Sequence, residues 1–328
     1  MKSVLLLGMG PTAVTALESL AAQFRVIGVI RDAAGDAQPD ADVERRAAEL
    51  RIPVLRVSHT QIEDIIIKTQ PDCVVISSYN RILNERVIRA SKFINVHYSP
   101  LPRYRGRANV NWAIINGERE AAITIHSIVP ELDAGNILYQ ETTEIGPHDT
   151  VGHVYSVLNQ IQREKLGDTV ARHLNGYEGT PQDESLATYG CARVPADGEI
   201  DWSQPTEKIY ALVRALSPPY PGAHTYLGTR RITIANARPI DAPRYVGRVP
   251  GRVVARSTDD AFVDVLSGDG VLRIFEVIAA GSPVTPAPSI ITSTRQTLGL
   301  RPADLLLRIE ELEKRLDDLH ASSRGPAQ

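Results

Sequence analysis

Cysteine is scarce: Cys73 and Cys191 are the only two in 328 residues, far apart and outside any C-x-x-C spacing. That excludes a disulfide scaffold or a cysteine zinc site and points to a reducing, cytoplasmic setting. Aromatic residues make up 5% of the chain, so platforms for stacking nucleic-acid bases are few. No apolar run approaches the ~20 residues of a membrane span, and the opening MKSVLLLGMG is short and broken by glycine, so neither export nor a membrane partner is expected. Charge of one sign is also missing. Lys and Arg total 36 against 39 Asp and Glu, a net charge of −3, which leaves no global basic field to draw in nucleic acid. What remains, 43% hydrophobic and 23% charged residues, is ordinary globular composition at a length suited to two domains.

The first half reads as alternating strands and helices. The pattern predicts a strand over 3–7, the turn Gly8-Met9-Gly10-Pro11, a helix over 12–23 and a strand over 25–30, a βαβ opening that implies a parallel sheet. Gly8-x-Gly10-x-x-Ala13, with Asp32 further on, also matches a relaxed dinucleotide fingerprint. An NAD-dependent dehydrogenase therefore competes as a reading, although a close strand-to-helix turn needs the same glycines. The stretch 33–41 is acidic and lacks Lys and Arg, a composition unsuited to RNA phosphates. Helices are expected over 43–50 and 61–69, and strands over 52–57 and 72–77. The segment from Ser77 to Leu83, containing Tyr79 and Arg81, follows the last of these at its carboxyl end, where open α/β sheets place ligands.

Residues 95–133 gather the chemistry. Asn95 and His97 close a buried strand and share one face at i, i+2, and after a Pro-bracketed turn, an Arg-Gly-Arg and an apolar run the chain reaches Asp133-Ala134-Gly135. A carboxamide N–H beside an imidazole polarises a carbonyl and manages a proton, and a buried Asp reached by chain return orients the ring. An isolated Asn-x-His pair reads equally as a turn cap and a core histidine. Ser99 precedes Pro-Leu-Pro with no nucleophile elbow, so a Ser-His-Asp hydrolase fits poorly and the attacking group is expected to be the substrate's own amine.

The ordered string Asn95-Val96-His97-Tyr98-Ser99-Pro100-Leu101-Pro102-Arg103-Tyr104-Arg105-Gly106, with Asn111-Trp112-Ala113-Ile114, Asn116-Gly117-Glu118 and Leu132-Asp133-Ala134-Gly135, resembles the 10-formyltetrahydrofolate-dependent formyltransferases. These include the methionyl-tRNA and amino-sugar N-formyltransferases. The resemblance implies that Asn95 stabilises the transition state, that His97 is general acid and base, and that Asp133 raises the basicity of His97. It implies too that Ile82, Leu83, Asn84, Arg107, Val129, Pro130, Glu131 and Leu132 hold the folate co-substrate, 10-formyltetrahydrofolate. The Tyr79-x-Arg81 stretch looks more like the amino-sugar branch, which makes Tyr79, Arg81, Gly8 and Gly10 candidates for the acceptor side. Departures from the family pattern fall at Pro100 (usually Leu), Asn109 (usually Pro) and Ala122 (often Gly). No metal site is expected.

Beyond the motif, a strand is expected over 121–128, with His126 a candidate to line the cofactor site, and a helix over 151–174 after Thr150. The polar run 176–190 suggests a domain boundary. The segments 197–202 and 206–223 resemble the C-terminal domain of the same family, and short strands follow, with a hairpin turn at Ser267-Gly268-Asp269-Gly270. The expected fold is α/β, a Rossmann-like mostly parallel sheet (1–185), a small C-terminal OB-like β-barrel (186–285) and a terminal helix (286–328). Seven arginines and one acid, Asp241, lie between Thr225 and Ser257. That patch is the main argument for tRNA, and it lacks interleaved aromatics beyond Tyr226 and Tyr245. In the tail, Leu305, Ile309, Leu312, Leu316 and Leu319 form a 4-3-4-3 seam suited to a homodimer. The sequence is thus read as an enzyme that formylates the amine of a nucleotide-linked amino sugar. Methionyl-tRNA and an amino-acid or siderophore amine remain as alternative acceptors.

Overall fold

The structure is a computed structural model that describes residues 1–32, 41–79, 81–279 and 281–323; the acidic stretch 33–40 lies outside it. The elements in order are β1 (Ser3–Gly8), α1 (Gly10–Ala21), β2 (Arg25–Asp32), α2 (Ala41–Glu49), β3 (Val54–Val57), α3 (His59–Thr69), β4 (Cys73–Ser77), α4 (Glu85–Ile88), β5 (Lys92–His97), β6 (Arg105–Gly106) and α5 (Asn109–Asn116). There follow β7 (Glu120–Ser127), β8 (Ile137–Glu144), α6 (Val151–Leu174), β9 (Tyr189–Gly190), α7 (Thr206–Ala215), β10 (Ala223–Leu227), β11 (Arg230–Ile240), β12 (Val253–Ser257), β13 (Phe262–Leu266), β14 (Val271–Ala279), β15 (Thr285–Pro286), α8 (Ala287–Ile290) and α9 (Pro302–Ser323). The chain divides into two compact units, with the main break between Arg193 and Val194.

The first unit holds a seven-stranded sheet in the order β3-β2-β1-β4-β5-β7-β8. β1 to β5 run parallel, and β7 and β8 add antiparallel strands at one side. Helices cover parallel strands on both faces, so β1 and β4 are continuous apolar runs with Val4 to Leu7 and Cys73 to Ile76 all buried. Strand order reverses between β1 and β4, which makes the carboxyl ends of these strands the topological switch point. Gly8 pairs with Ser77 there. A Cβ on Gly8 would lie 2.2 Å from the Ser77 carbonyl oxygen, so strand packing requires a glycine here. Ser58 begins α3 with a reciprocal capping box to Gln61, and Thr150 caps α6, as its position before the apolar spacing indicated.

The second unit carries a wholly antiparallel sheet in the order β10-β11-β14-β13-β12, with β15 pairing β14. The Ser267 to Gly270 turn joins β13 to β14 as a hairpin. Its core is built by Trp202, Tyr210, Ile232, Ile234, Val263, Leu272 and Ile274, and Trp202 donates its indole N–H to Thr225 Oγ1 at 2.9 Å. Several elements have no counterpart in the sequence reading, among them β8, α5 and β10. β8 alternates in burial, one face only being covered, and α5 begins directly after the Arg-Gly-Arg turn. No helix among the described residues is long and apolar enough to cross a membrane.

Candidate active site

β5 ends with Asn95 and His97 on one face, and antiparallel β7 places His126 directly opposite Asn95. The loop after β7 turns back to deliver Asp133. Asn95 Nδ2 lies 3.1 Å from His126 Nε2 and 3.4 Å from Asp133 Oδ1. His97 Nδ1 is 3.7 Å from Asp133 Oδ2, and that oxygen accepts the Gly106 N–H at 2.8 Å. At its other edge, His97 Nε2 faces the Tyr104 carbonyl oxygen and Asn109 Nδ2, each at 2.9 Å. The imidazole is therefore seated by backbone and amide on one side and open to the carboxylate on the other.

The loops that hold these groups carry unusual backbone. Tyr104, Ala108 and Asp133 have φ of 58°, 57° and 50°, left-handed values that cost non-glycine residues energy and gather at functional sites. Arg105 anchors the first loop. Its side chain is 1% exposed, and its guanidinium donates to both Glu184 carboxylate oxygens at 2.6 and 2.8 Å and to Gln182 Oε1 at 2.8 Å. Gln182 Nε2 in turn donates to the Asp133 and Gly135 carbonyls, both at 2.7 Å. This pins the second loop to the first. Gly135 is needed because a Cβ there would lie 1.8 Å from the Ser127 carbonyl oxygen.

Electrostatics and hydrogen bonding separate His126 from the nucleophile candidates Ser99 and Cys73. Burial, helped by the neighbouring His97, pushes His126 down to about 4, so the ring is neutral near pH 7. Its Nδ1 lies 2.8 Å from the Ser127 carbonyl oxygen. Ser99 spends its hydroxyl on the Arg103 carbonyl at 3.0 Å, and burial pushes the Cys73 thiol up to about 12. Neither is an activated nucleophile. His97, His126 and Asp133 offer ligand atoms within 4.8 Å of one another, but N–H donors of Asn95 and Gly106 already point at His126 and Asp133, an arrangement of hydrogen bonding rather than of bare ligands.

The other sequence-selected residues separate into two groups. Some have structural duties: Leu83 is buried in the cluster with Ile62, Ile66 and Val87, Asn84 caps α4 through its side chain, and Gly8 allows β1 to meet β4. Gly10 opens α1 with a φ of 69°. Arg81 forms an ion pair with Asp32, which engages the carboxylate that a dinucleotide ribose would need. Tyr79 Oη meets His59 Nδ1 at 2.7 Å. The others are open: Ile82 is 81% exposed and Leu132 51%, Arg107, Pro130 and Glu131 are exposed, and Val129 is half-buried. Sequence reasoning did not reach Gln182, Glu184 or the Tyr104 carbonyl, since each meets the site through contacts distant in the chain or through backbone. Asn109 did carry a signal: it departs from the pattern of the resembling family, and its amide faces His97.

Comparison with known proteins bears on this arrangement. Residues 28–170 match the formyl transferase family and residues 194–295 its C-terminal domain. The chain is similar to HypX from Aquifex aeolicus solved with tetrahydrofolic acid, at 19% identity and a TM-score of 0.61, over 89% of this chain and 47% of that one. It thus spans about half the length of HypX. An N-formyltransferase from Helicobacter canadensis, solved with folinic acid and dTDP-3-aminofucose, is similar at 19% identity and a TM-score of 0.63, over 84% of this chain and 98% of that one. WlaRD, a sugar 3N-formyl transferase solved with dTDP and 5-N-formyl-THF, aligns at 18% identity and a TM-score of 0.58, over 86% and 99% of the two chains.

Proposed function

The chain belongs to the formyl transferase family, and from that premise we propose that it moves a formyl group from 10-formyltetrahydrofolate to the primary amine of a nucleotide-linked amino sugar. The observation that carries the reading is the convergence of Asn95, His97 and Asp133 beside a turn in which Ser99 is not free to attack. With no nucleophile of its own there, the site is equipped to assist an amine that arrives with the acceptor. Asn95 donates to the formyl oxygen as charge collects on it. The neutral amine forms the new bond to the formyl carbon; His97 takes the proton its nitrogen then sheds and hands it to the folate nitrogen as the old carbon–nitrogen bond breaks, so protons balance. Asp133 Oδ2, 3.7 Å from His97 Nδ1, is placed to orient the ring.

Several features support the two substrates. Ile82 and Leu132 leave large apolar side chains open to solvent on the loops after β4 and β7, which suits the flat rings of a folate. The folate- and dTDP-bound neighbours agree with this fold carrying such ligands. For the acceptor, the arginine-rich second unit is a weaker phosphate surface than its composition implied. Arg248 donates to the Ser267 and Gly270 carbonyls, Arg252 to Thr297 and Arg256 to the Pro288 carbonyl. Arg230, Arg231, Arg238 and Arg244 stay exposed, too sparse a set for tRNA without stacking aromatics. We further propose a cytoplasmic homodimer paired through α9.

The test is tetrahydrofolate release from 10-formyltetrahydrofolate, with a panel of nucleotide-linked amino sugars beside charged initiator tRNA and free amino-acid amines. Release with an amino sugar alone is expected. Release with tRNA alone would overturn the acceptor assignment, and silence with every amine would overturn formyl transfer.

A further inference from the structure

His126 is 1% exposed, and each of its ring nitrogens has a hydrogen-bond partner. Nδ1 lies 2.8 Å from the Ser127 carbonyl oxygen, which only accepts, so Nδ1 carries a proton. Nε2 then decides the state of the ring. It faces Asn95 Nδ2 at 3.1 Å and Asp133 Oδ1 at 3.7 Å. A bare Nε2 accepts from Asn95 and so selects the NH2 end of that carboxamide. A protonated Nε2 would demand an acceptor and turn the Asn95 oxygen inward.

We propose that His126 is a positioning residue that sets which end of the Asn95 carboxamide faces the reacting formyl oxygen. One N–H of Asn95 is held by His126 Nε2. The other, only loosely engaged by Asp133 Oδ1 at 3.4 Å, is left to meet the developing oxyanion. The charged and titratable groups around the ring are Asp133 on the returning loop, His97 edge-on from β5 at 6.1 Å between ring centroids, and Arg105 from β6, itself tied to Glu184. Burial in this setting keeps His126 neutral well below pH 7. The site thus preserves the Asn95 donor at neutral and mildly acidic pH. Without a neutral acceptor at this place, only the long contact to Asp133 Oδ1 would favour the NH2-inward orientation.

The inference rests on the formyl-transfer reading for its kinetic consequence, and the two are separable. Nitrogen-15 NMR of the full-length wild-type protein should show His126 with Nδ1 protonated and Nε2 bare at pH 7 and still so at pH 5. A protonated Nε2, or the opposite tautomer, overturns the proposal whatever the enzyme formylates. In turnover, His126→Phe should lower kcat by about tenfold or more, up to the ~10²–10³ that losing an oxyanion donor costs, with the folate KM unchanged. Asn95→Ala/His126→Phe should be no slower than Asn95→Ala alone, because both changes remove the same donor. His126→Gln, which offers an acceptor to Asn95 and a donor to Ser127, should recover part of the rate. Multiplying losses in the double variant would instead mean that His126 acts independently of Asn95. Should His126→Phe fail to fold, the tautomer measurement and the His126→Gln rate decide the matter.

Discussion

Asn95 and His97 are two residues apart on one strand, yet on the proposed reading they differ in what their loss removes. Asn95→Ala deletes a donor to charge that develops only in the transition state. Its kcat should fall by about 10²–10³, or ~2.7–4 kcal/mol of barrier, with little change in substrate KM. Steady-state kinetics on the folded variant check this, and a near-normal kcat would remove Asn95 from the mechanism. Much of this residue-scale picture is visible in the string around Asn95, since strand alternation alone puts it beside His97. The partners that aim them are not. Gln182 reaches the Asp133 carbonyl across 49 positions, and the Tyr104 carbonyl acts on His97 through backbone, where side-chain identity leaves no trace.

At the scale of elements, the βα units of the first half read clearly because buried parallel strands are unbroken apolar runs. β8 escaped because its alternating, half-covered pattern includes polar residues such as Gln140 and Thr142 at helix-tolerant composition. α9 poses the opposite case: a legible apolar seam that stays exposed. Leu305, Ile309, Leu312, Leu316 and Leu319 line one seam, each at least 40% exposed, and an isolated helix has no reason to leave that row in water. Ile309 at an a position between leucines at d favours a two-stranded parallel pair. In that register Arg308 faces Glu313 of the second copy, whereas an antiparallel pair would set arginine against arginine. Sedimentation equilibrium should give a dimer for the wild type and a monomer for Leu312→Glu. Arg308→Glu should weaken the dimer, and adding Glu313→Arg should restore it. A wild-type monomer at micromolar concentration would remove the proposed role of α9.

For the whole molecule, the buried neutral His126 links the site to stability. The unfolded chain binds a proton at this ring near the ordinary value of ~6.5, and the folded chain only at about 4. Between these values the unfolded state holds more protons, so stability is complete above the upper one and falls as pH drops toward the lower. His224, lowered by burial, adds a loss of the same sign. Carboxylates such as Asp72, held down by the Ser3 backbone N–H, add theirs only at more acidic pH. Urea midpoints at pH 7, 5.5 and 4.5 should decline for the wild type and decline less for His126→Phe. Equal slopes would mean that His126 is not the group responsible. Composition and periodicity gave an α/β first half and a β-rich second half, and the motif from Asn95 to Gly135, with the family it resembles, gave the candidate triad, because burial period and local chemistry are written residue by residue. Folding alone determined how Asp133 is held to meet His97, that His126 meets Asn95, and that Gly8 packs against the Ser77 carbonyl. Those contacts depend on strand register and loop return, which local sequence does not encode.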